Sequence, residues 1–157
     1  LGDFTQITSG GTPSKGKSEF WNEGDIPWLK SDVCKEKEVY STSQFITAKG
    51  LKNSSAKFLQ KDSTLVALVG ATKGKTAFLK FKSTTNQNIA GIKTLDDTVL
   101  VDKYIYEILK TSHSILINNL GQYDMLNLTK LREFKIPIPP KDIQESFIIQ
   151  FLNLFKD

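Results

Sequence analysis

Residues 64–92, TLVALVGATKGKTAFLKFKSTTNQNIAGI, constrain the fold more than any other stretch of the chain. An apolar run over 64–69, rich in β-branched residues, is followed by Gly70, Gly74 and two lysines. A second apolar run covers 76–81, so the spacing predicts two strands joined by a basic, glycine-containing turn. A third run over 89–92 follows the polar cluster Thr84, Thr85, Asn86, Gln87 and Asn88. Two donor-rich loops are therefore expected between buried strands, the usual way a binding surface is carried on a scaffold.

The turn imitates a phosphate-binding loop without meeting its requirements. That loop needs G-x-x-x-x-G-K-[ST], but only three residues separate Gly70 from Gly74, and Val69 stands where the first glycine belongs. A phosphate loop must also open a helix, whose N-terminal N–H groups face the anion. Thr76-Ala77-Phe78-Leu79 reads as strand instead, which excludes nucleotide hydrolysis at this point.

With 157 residues and a hydrophobic fraction of 39%, one soluble domain with its own core is expected. No apolar run approaches the roughly 18 residues of a membrane span, so no membrane partner is expected. The chain opens Leu-Gly-Asp-Phe, which reads as a piece of a longer polypeptide or as a processed chain. The single cysteine, Cys34, cannot form an internal disulfide, which fits a cytoplasmic location, and it reads as an inert free thiol. The formal net charge is +4, carried by lysine with Arg132 as the one arginine. Lysines gather at 49, 52, 57 and 61 and again at 73, 75, 80 and 82, with Asp62 the one acid among them. Such a patch suits a polyanion, and equally an ordinary solvated surface.

Along the chain, a first strand is expected over 3–8 and a basic-tipped loop over 9–17, anchored by Phe20 and Trp21. Pro27 argues for an edge or irregular strand over 26–30, within which Trp28 is read as core rather than as a base-stacking platform. Residues 32–38 read as a charged surface loop. Thr47 is placed to cap a short helix over 49–53, and 56–59 reads as a brief strand. After a turn at Asp96 and Asp97, Asp102 is expected to cap a helix carrying Ile105, Ile108 and Leu109. His113 would end that helix as a capping or solvated residue. A further helical segment over 116–120 would close at Gly121, and 122–127 would be polar, pinned by Met125 and Leu126. Thr129 would then cap a turn through Leu131 and Phe134. Ile136-Pro137-Ile138-Pro139-Pro140 is forced to be extended. Asp142 and Glu145 have capping-box spacing ahead of a helix over 143–155, whose apolar stripe is too wide for a solvated helix.

Nothing in the chain has the spacing of a metal site, a nucleophile elbow or a histidine–carboxylate pair, so a binding module without cofactors is expected rather than an enzyme. Seven segments in order resemble the target-recognition domain of the DNA specificity subunit of type I restriction–modification systems. They are GGTPS (10–14), GDIPW (24–28), ITAKGLKNSSA (46–56), VALVGATKGK (66–75), TNQ (85–87), LNL (126–128) and IPIPP (136–140) leading into Gln144. The resemblance covers nearly the whole chain, although the tryptophan-containing segment that often precedes the first strand is missing.

The resemblance implies an α+β fold: a β-rich recognition domain over 1–140 with short helices, then the start of a spacer or dimerisation helix over 141–157. It implies a non-catalytic reader of one half of a split DNA target. Its partners would be double-stranded DNA, a methyltransferase subunit, a restriction subunit through the complex, and a second recognition domain or a second copy through the terminal helix. Lysines would neutralise phosphates and amides would read base edges. The expected contact set is Lys15 and Lys17; Asn53, Ser54, Ser55 and Lys57; Lys73 and Lys75; and Asn86, Gln87 and Asn88. Asn86 and Gln87 equally suit buried amides that satisfy loop backbone, and residues 30–45, which match the family least, suit a role in specificity. A recognition segment of a single-chain DNA methyltransferase or restriction–methylation fusion, or a basic module for an acidic protein, would share much of this local chemistry.

Overall fold

Side chains alternate across a strand, and a strand covered on both faces reads as an unbroken apolar run. The computed structural model describes residues 1–120 and 125–154, and its apolar runs are strands of that kind. Along the described residues come β1 (Thr5–Ser9), β2 (Ile26–Leu29), β3 (Lys37–Val39), β4 (Phe45–Ile46) and the short helix α1 (Ala48–Lys52). β5 (Phe58–Leu59), β6 (Thr64–Ala67), β7 (Thr76–Leu79), β8 (Ser83–Thr85) and β9 (Ile89–Thr94) follow. The remaining helices are α2 (Asp102–Thr111), α3 (His113–Leu120), α4 (Leu128–Glu133) and α5 (Lys141–Leu154).

The fold is α+β, built on two sheets. One has the order β1-β9-β6-β7-β3 and the other β4-β2-β8-β5. β3 runs parallel to β7 and β2 parallel to β8, and the other pairs are antiparallel. The first sheet is the middle layer. From one face Ile7, Val66, Ala90 and Ile92 meet the helices through Leu100, Ile105, Leu109, Leu116 and Leu131. From the other face Leu65, Ala67, Ala77, Leu79 and Ile89 meet the second sheet and its connections through Leu29, Cys34 and Leu59. Each fully buried leucine or isoleucine here contributes roughly 1.5–3 kcal/mol, so both interfaces hold firmly.

α5 lies parallel to α2. Gln144 meets Val101 just before α2 begins, and Phe147 packs on Tyr104 with ring centroids 5.5 Å apart. Gln144 has no exposed surface; its Oε1 accepts from Val101 N, and its Nε2 donates to Val99 O and Pro139 O. Phe147 and Phe151 stack at 5.6 Å along the same face.

Several local expectations are revised. β2 is internal to its sheet, although it contains Pro27. Trp28 N donates to Gln44 O, so Pro27 occupies a position that needs no bond to β4, and the pairing with β8 begins only at Trp28. Residues 32–38 are not all loop. β3 forms the sheet margin, where a charged strand is tolerated because one side is free of a neighbour. Thr84 and Thr85 belong to the fully buried β8, and the hydroxyls of β8 are satisfied by backbone oxygens of Thr84, Pro27 and Asn86. Asp102 is the first residue of α2 rather than its cap, and its carboxylate bonds Thr94 N and Lys93 of β9. Asn127, not Thr129, caps α4, its Oδ1 accepting from Thr129 N. α5 starts at Lys141, which puts Asp142 inside the first turn. His113 opens α3 rather than closing α2. Thr47 caps α1 as expected, accepting from Gly50 N. The expected closure at Gly121, the polar residues 122–124 and the helix end at Phe155 lie outside the described residues.

Cys34 sits in the layer between the two sheets with no exposed surface, and burial pushes its thiol up to about 12. A buried, protonated thiol is a poor nucleophile. Thiol-reactive dye at pH 8 is expected to label the native protein only as fast as it unfolds, and to label within seconds in denaturant. Rapid labelling of native protein would place Cys34 outside the core.

Candidate nucleic-acid interface

Strand pairing decides which loops meet. Ser9 at the end of β1 lies opposite Ala90, and Leu68, just past β6, donates its N–H to Asn88 O. Asn86 N donates to Leu29 O, which brings the ends of β2 and β8 to the same place. One end of the stacked sheets thus collects residues 10–17, the segment after Leu29, and 86–88.

Two tryptophans clamp the first of these loops. Trp28 Nε1 donates to Gly11 O at 2.9 Å, Trp21 Nε1 donates to Ser14 O at 3.1 Å, and the indoles meet edge to face at 5.1 Å. Gly11 N donates to Thr85 O. Residues 10–11 thread a gap that admits no side chain: a Cβ on Gly10 would stand 2.1 Å from Thr85 O, and one on Gly11 2.2 Å from Ser55 Oγ. Thr12 Oγ1 bonds Gln87 Oε1, and Pro13 is buried. The tip beyond carries Lys15 and Lys17 into solvent, Lys17 with its ammonium 5.3 Å from the Phe20 ring centre.

The expected contact residues separate into groups. Lys15, Lys17, Ser55, Gln87 and Asn88 belong to this end, with Ser55 and Gln87 exposed and Asn88 half-buried. Asn53, Ser54 and Asn86 belong to the same segments but do structural work. Asn53 Nδ2 donates to Lys49 O at the end of α1, Ser54 Oγ accepts from Ala56 N, and Asn86 Oδ1 accepts from Asn88 N. Asn86 thus takes the buried-amide role, at 8% exposure. Lys57 is exposed but turns to a separate cleft of about 150 Å³ with Gln6, Thr8, Phe58 and Lys93.

The glycine turn begins at the shared end and leaves it. Gly70 and Gly74 have φ of +78° and +76°, which side-chain-bearing residues rarely adopt, and the turn leads into β7, not a helix. Thr72 Oγ1 donates to Ser31 O and ties the turn to the second sheet. Lys73 O lies 3.3 Å from His113 Nε2, and Lys75 lines a cleft of about 370 Å³ with Glu36, Lys110, His113 and Phe151 on the helix side. Lys73 and Lys75 are therefore not brought together with Lys15 and Lys17.

The lysine runs in the sequence are not one patch either. Lys49 pairs with Glu19 at 2.7 Å, an acid folding brings in from outside the run, and Lys80 pairs with Asp62 at 2.9 Å, the acid within it. The hydrogen bond from Lys49 holds the Glu19 carboxyl below the usual carboxylate range. Lys15, Lys17 and Lys30, by contrast, have no carboxylate within ion-pair distance among the described residues.

Sequence reasoning did not name the cleft beside the clamped loop. It measures about 240 Å³ and is lined by Lys15, Trp21, Trp28, Lys30 and Gln44. Trp28 is core, as expected, at 2% exposure, yet its edge reaches this surface. The available signal was the pairing of two tryptophans with lysines at 15 and 30. Among the described residues no cluster of His, Cys, Asp and Glu could hold a metal ion, and no helix is long and apolar enough to cross a membrane.

Comparison with known proteins places this geometry in a family. The chain is 30% identical over 162 residues to the EcoR124I/EcoR124II type I restriction enzyme specificity subunit of Escherichia coli, covering 99% of this chain and 39% of that subunit. It is also 30% identical to the HindI specificity subunit of Haemophilus influenzae, covering 99% of this chain and 34% of that one. The chain thus spans well under half the length of these curated relatives. The fold is shared with the crystal structure of the HsdS subunit from Thermoanaerobacter tengcongensis, at 17% identity and a TM-score of 0.68 over 98% of this chain and 35% of that one. Residues 1–156 match the model of the type I restriction modification DNA specificity domain, and the chain belongs to that family.

Proposed function

We propose that this chain is a target-recognition unit that binds one half of a split site in double-stranded DNA. The observation that carries the reading is the loop over 10–17, locked by two indole N–H groups so that Lys15 and Lys17 project from a rigid base with no acid paired to them. Ordering a cationic loop before binding removes an entropy penalty that a floppy loop would incur. Lys15 and Lys17 neutralise phosphates, while Gln87 and Ser55 lie beside them where a duplex would rest.

Residues 1–140 form the recognition unit and α5 begins the helix that spaces it from a second recognition domain or a second copy. The chemistry belongs to methyltransferase and restriction subunits delivered to the site, and this chain contributes no catalytic group. Support comes from the family and from α5, which leaves Ile143, Ile149, Leu152 and Leu154 exposed.

Duplex binding by the full-length parent protein at several salt concentrations tests the reading. Lys15→Ala with Lys17→Ala is expected to weaken every duplex alike and to lower the log–log salt slope by about 2, roughly 0.9 per phosphate contact. An unchanged slope would remove this loop from the DNA face.

A further inference from the structure

Two clefts meet at the same three residues. The 240 Å³ cleft beside the clamped loop and a neighbour of about 220 Å³ both include Trp28, Lys30 and Gln44 in their walls. The neighbour continues along Ser41, Thr42 and Ser43, with Asp32 the one acid on its rim. Lys30 and Gln44 therefore stand on the ridge between two depressions, above a tryptophan that is itself immobile.

The backbone beneath them is fixed. Trp28 N donates to Gln44 O across the β2–β4 pair, and Thr42 Oγ1 donates to Trp28 O while accepting from Gln44 N. The side chains are not used by the fold. Among the described residues the Gln44 amide has no hydrogen-bond partner and the Lys30 ammonium no ion pair, although Gln44 is half-buried. The amides of Asn53, Asn86 and Gln87 make intramolecular hydrogen bonds, and among the described residues only Asn88 at this end shares with Gln44 a half-buried amide without one. Held on a rigid strand pair beside two lysines, an unengaged amide has the chemistry of a base reader rather than of a structural brace.

We infer that Gln44 and Lys30 are specificity-determining residues that read adjacent base edges in the major groove, an inference that rests on the DNA-binding reading above. A glutamine amide matches adenine, donating to N7 and accepting from N6, whereas a lysine donates to guanine O6 and N7. Gln44 selects an adenine and Lys30 a neighbouring guanine in the half-site, while Lys15, on the far wall of the first cleft, lies against the flanking phosphate.

The test uses the full-length parent protein assembled with its methyltransferase subunit, mapping methylated sites in cells and measuring binding to duplexes varied at each half-site position. Thermal melts confirm that each variant is folded. Gln44→Ala is expected to reduce discrimination at one adenine position by about tenfold or more, with the other half-site and the salt slope unchanged. Gln44→Glu is expected to move that position toward cytosine, whose N4 donates to a carboxylate. Lys30→Ala is expected to relax an adjacent guanine. If the variants keep the parent's motif and stringency, or lose affinity equally for all sequences, Gln44 and Lys30 do not read bases. A parent that shows no sequence preference at all would overturn the DNA-recognition reading as well, so the two failures are distinguishable.

Discussion

Gly10→Ala is expected to lower the unfolding midpoint by roughly 10 °C and to abolish duplex binding at temperatures where the protein is still folded. The added carbon would stand 2.1 Å from Thr85 O, and the obstacle is backbone of an internal strand rather than a side chain that could swing aside. Relief requires residues 10–11 to shift outward, which breaks the bond from Gly11 N to Thr85 O and the bond from Trp28 Nε1 to Gly11 O. Overpacking costs about 1–3 kcal/mol and each of the two lost bonds about 0.5–1.5 kcal/mol, a sum of roughly 2–6 kcal/mol. In a domain of this size each kcal/mol moves the midpoint by about 2–4 °C. Differential scanning calorimetry measures the first effect and fluorescence of Trp21 and Trp28 reports the loop. A variant melting within 2 °C of the parent, with unchanged fluorescence, would show that the thread between β8 and residues 55–56 is looser than described.

Gln144→Leu is expected to destabilise by about 3–5 kcal/mol even though leucine is close in size and more apolar. The loss comes from the partners. Val101 N–H and the carbonyls of Val99 and Pro139 all bond this one fully buried amide, and leucine leaves each of these partly buried groups without it. A buried donor or acceptor stripped of its partner costs about 1–3 kcal/mol. Gln144→Glu can restore the bond to Val101 N but not the two donated by Nε2, so an intermediate loss is expected. The amide is also what fastens the start of α5, so Gln144→Leu should expose α5 to limited proteolysis before the sheets open. Resistance equal to the parent's would mean that Phe147 and Phe151 alone hold the helix.

These two residues also show what the sequence discloses and what it withholds. The strands β6, β7 and β9 were legible because burial on both faces leaves an apolar run that nothing polar interrupts. Thr47 was legible as a cap because capping is a local event three residues deep. β8 was not. Three consecutive hydroxyl residues look solvated, and only the carbonyls supplied by the fold reveal why they can be buried. β3 was hidden for the opposite reason, since a charged strand at a margin carries no apolar signature.

The candidate interface divides in the same way. Lys15 and Lys17 follow from composition and loop chemistry, but Lys73 and Lys75 look equivalent in sequence and diverge because the glycine turn bends toward α3. Lys49 and Lys80 lose their apparent freedom to acids at Glu19 and Asp62. The second acts across 18 residues and the first across 30, beyond the reach of any local pattern. Gln44 could not be singled out, since what marks it is a half-buried amide left without a partner by the fold, a property it shares with Asn88 among the described residues.

The margins of the five-stranded sheet have a consequence for strand addition. Along β1, Arg132 Nη2 donates to Ile7 O, and the segment after α4 bonds the chain's first two residues, so a strap covers that side. At the opposite side β3 presents the exposed Lys37, while Glu38 is paired with Lys103, and a charged residue on an edge strand discourages an incoming strand. The five-stranded sheet is thus blunted at both margins and offers an incoming strand no free ladder to extend there.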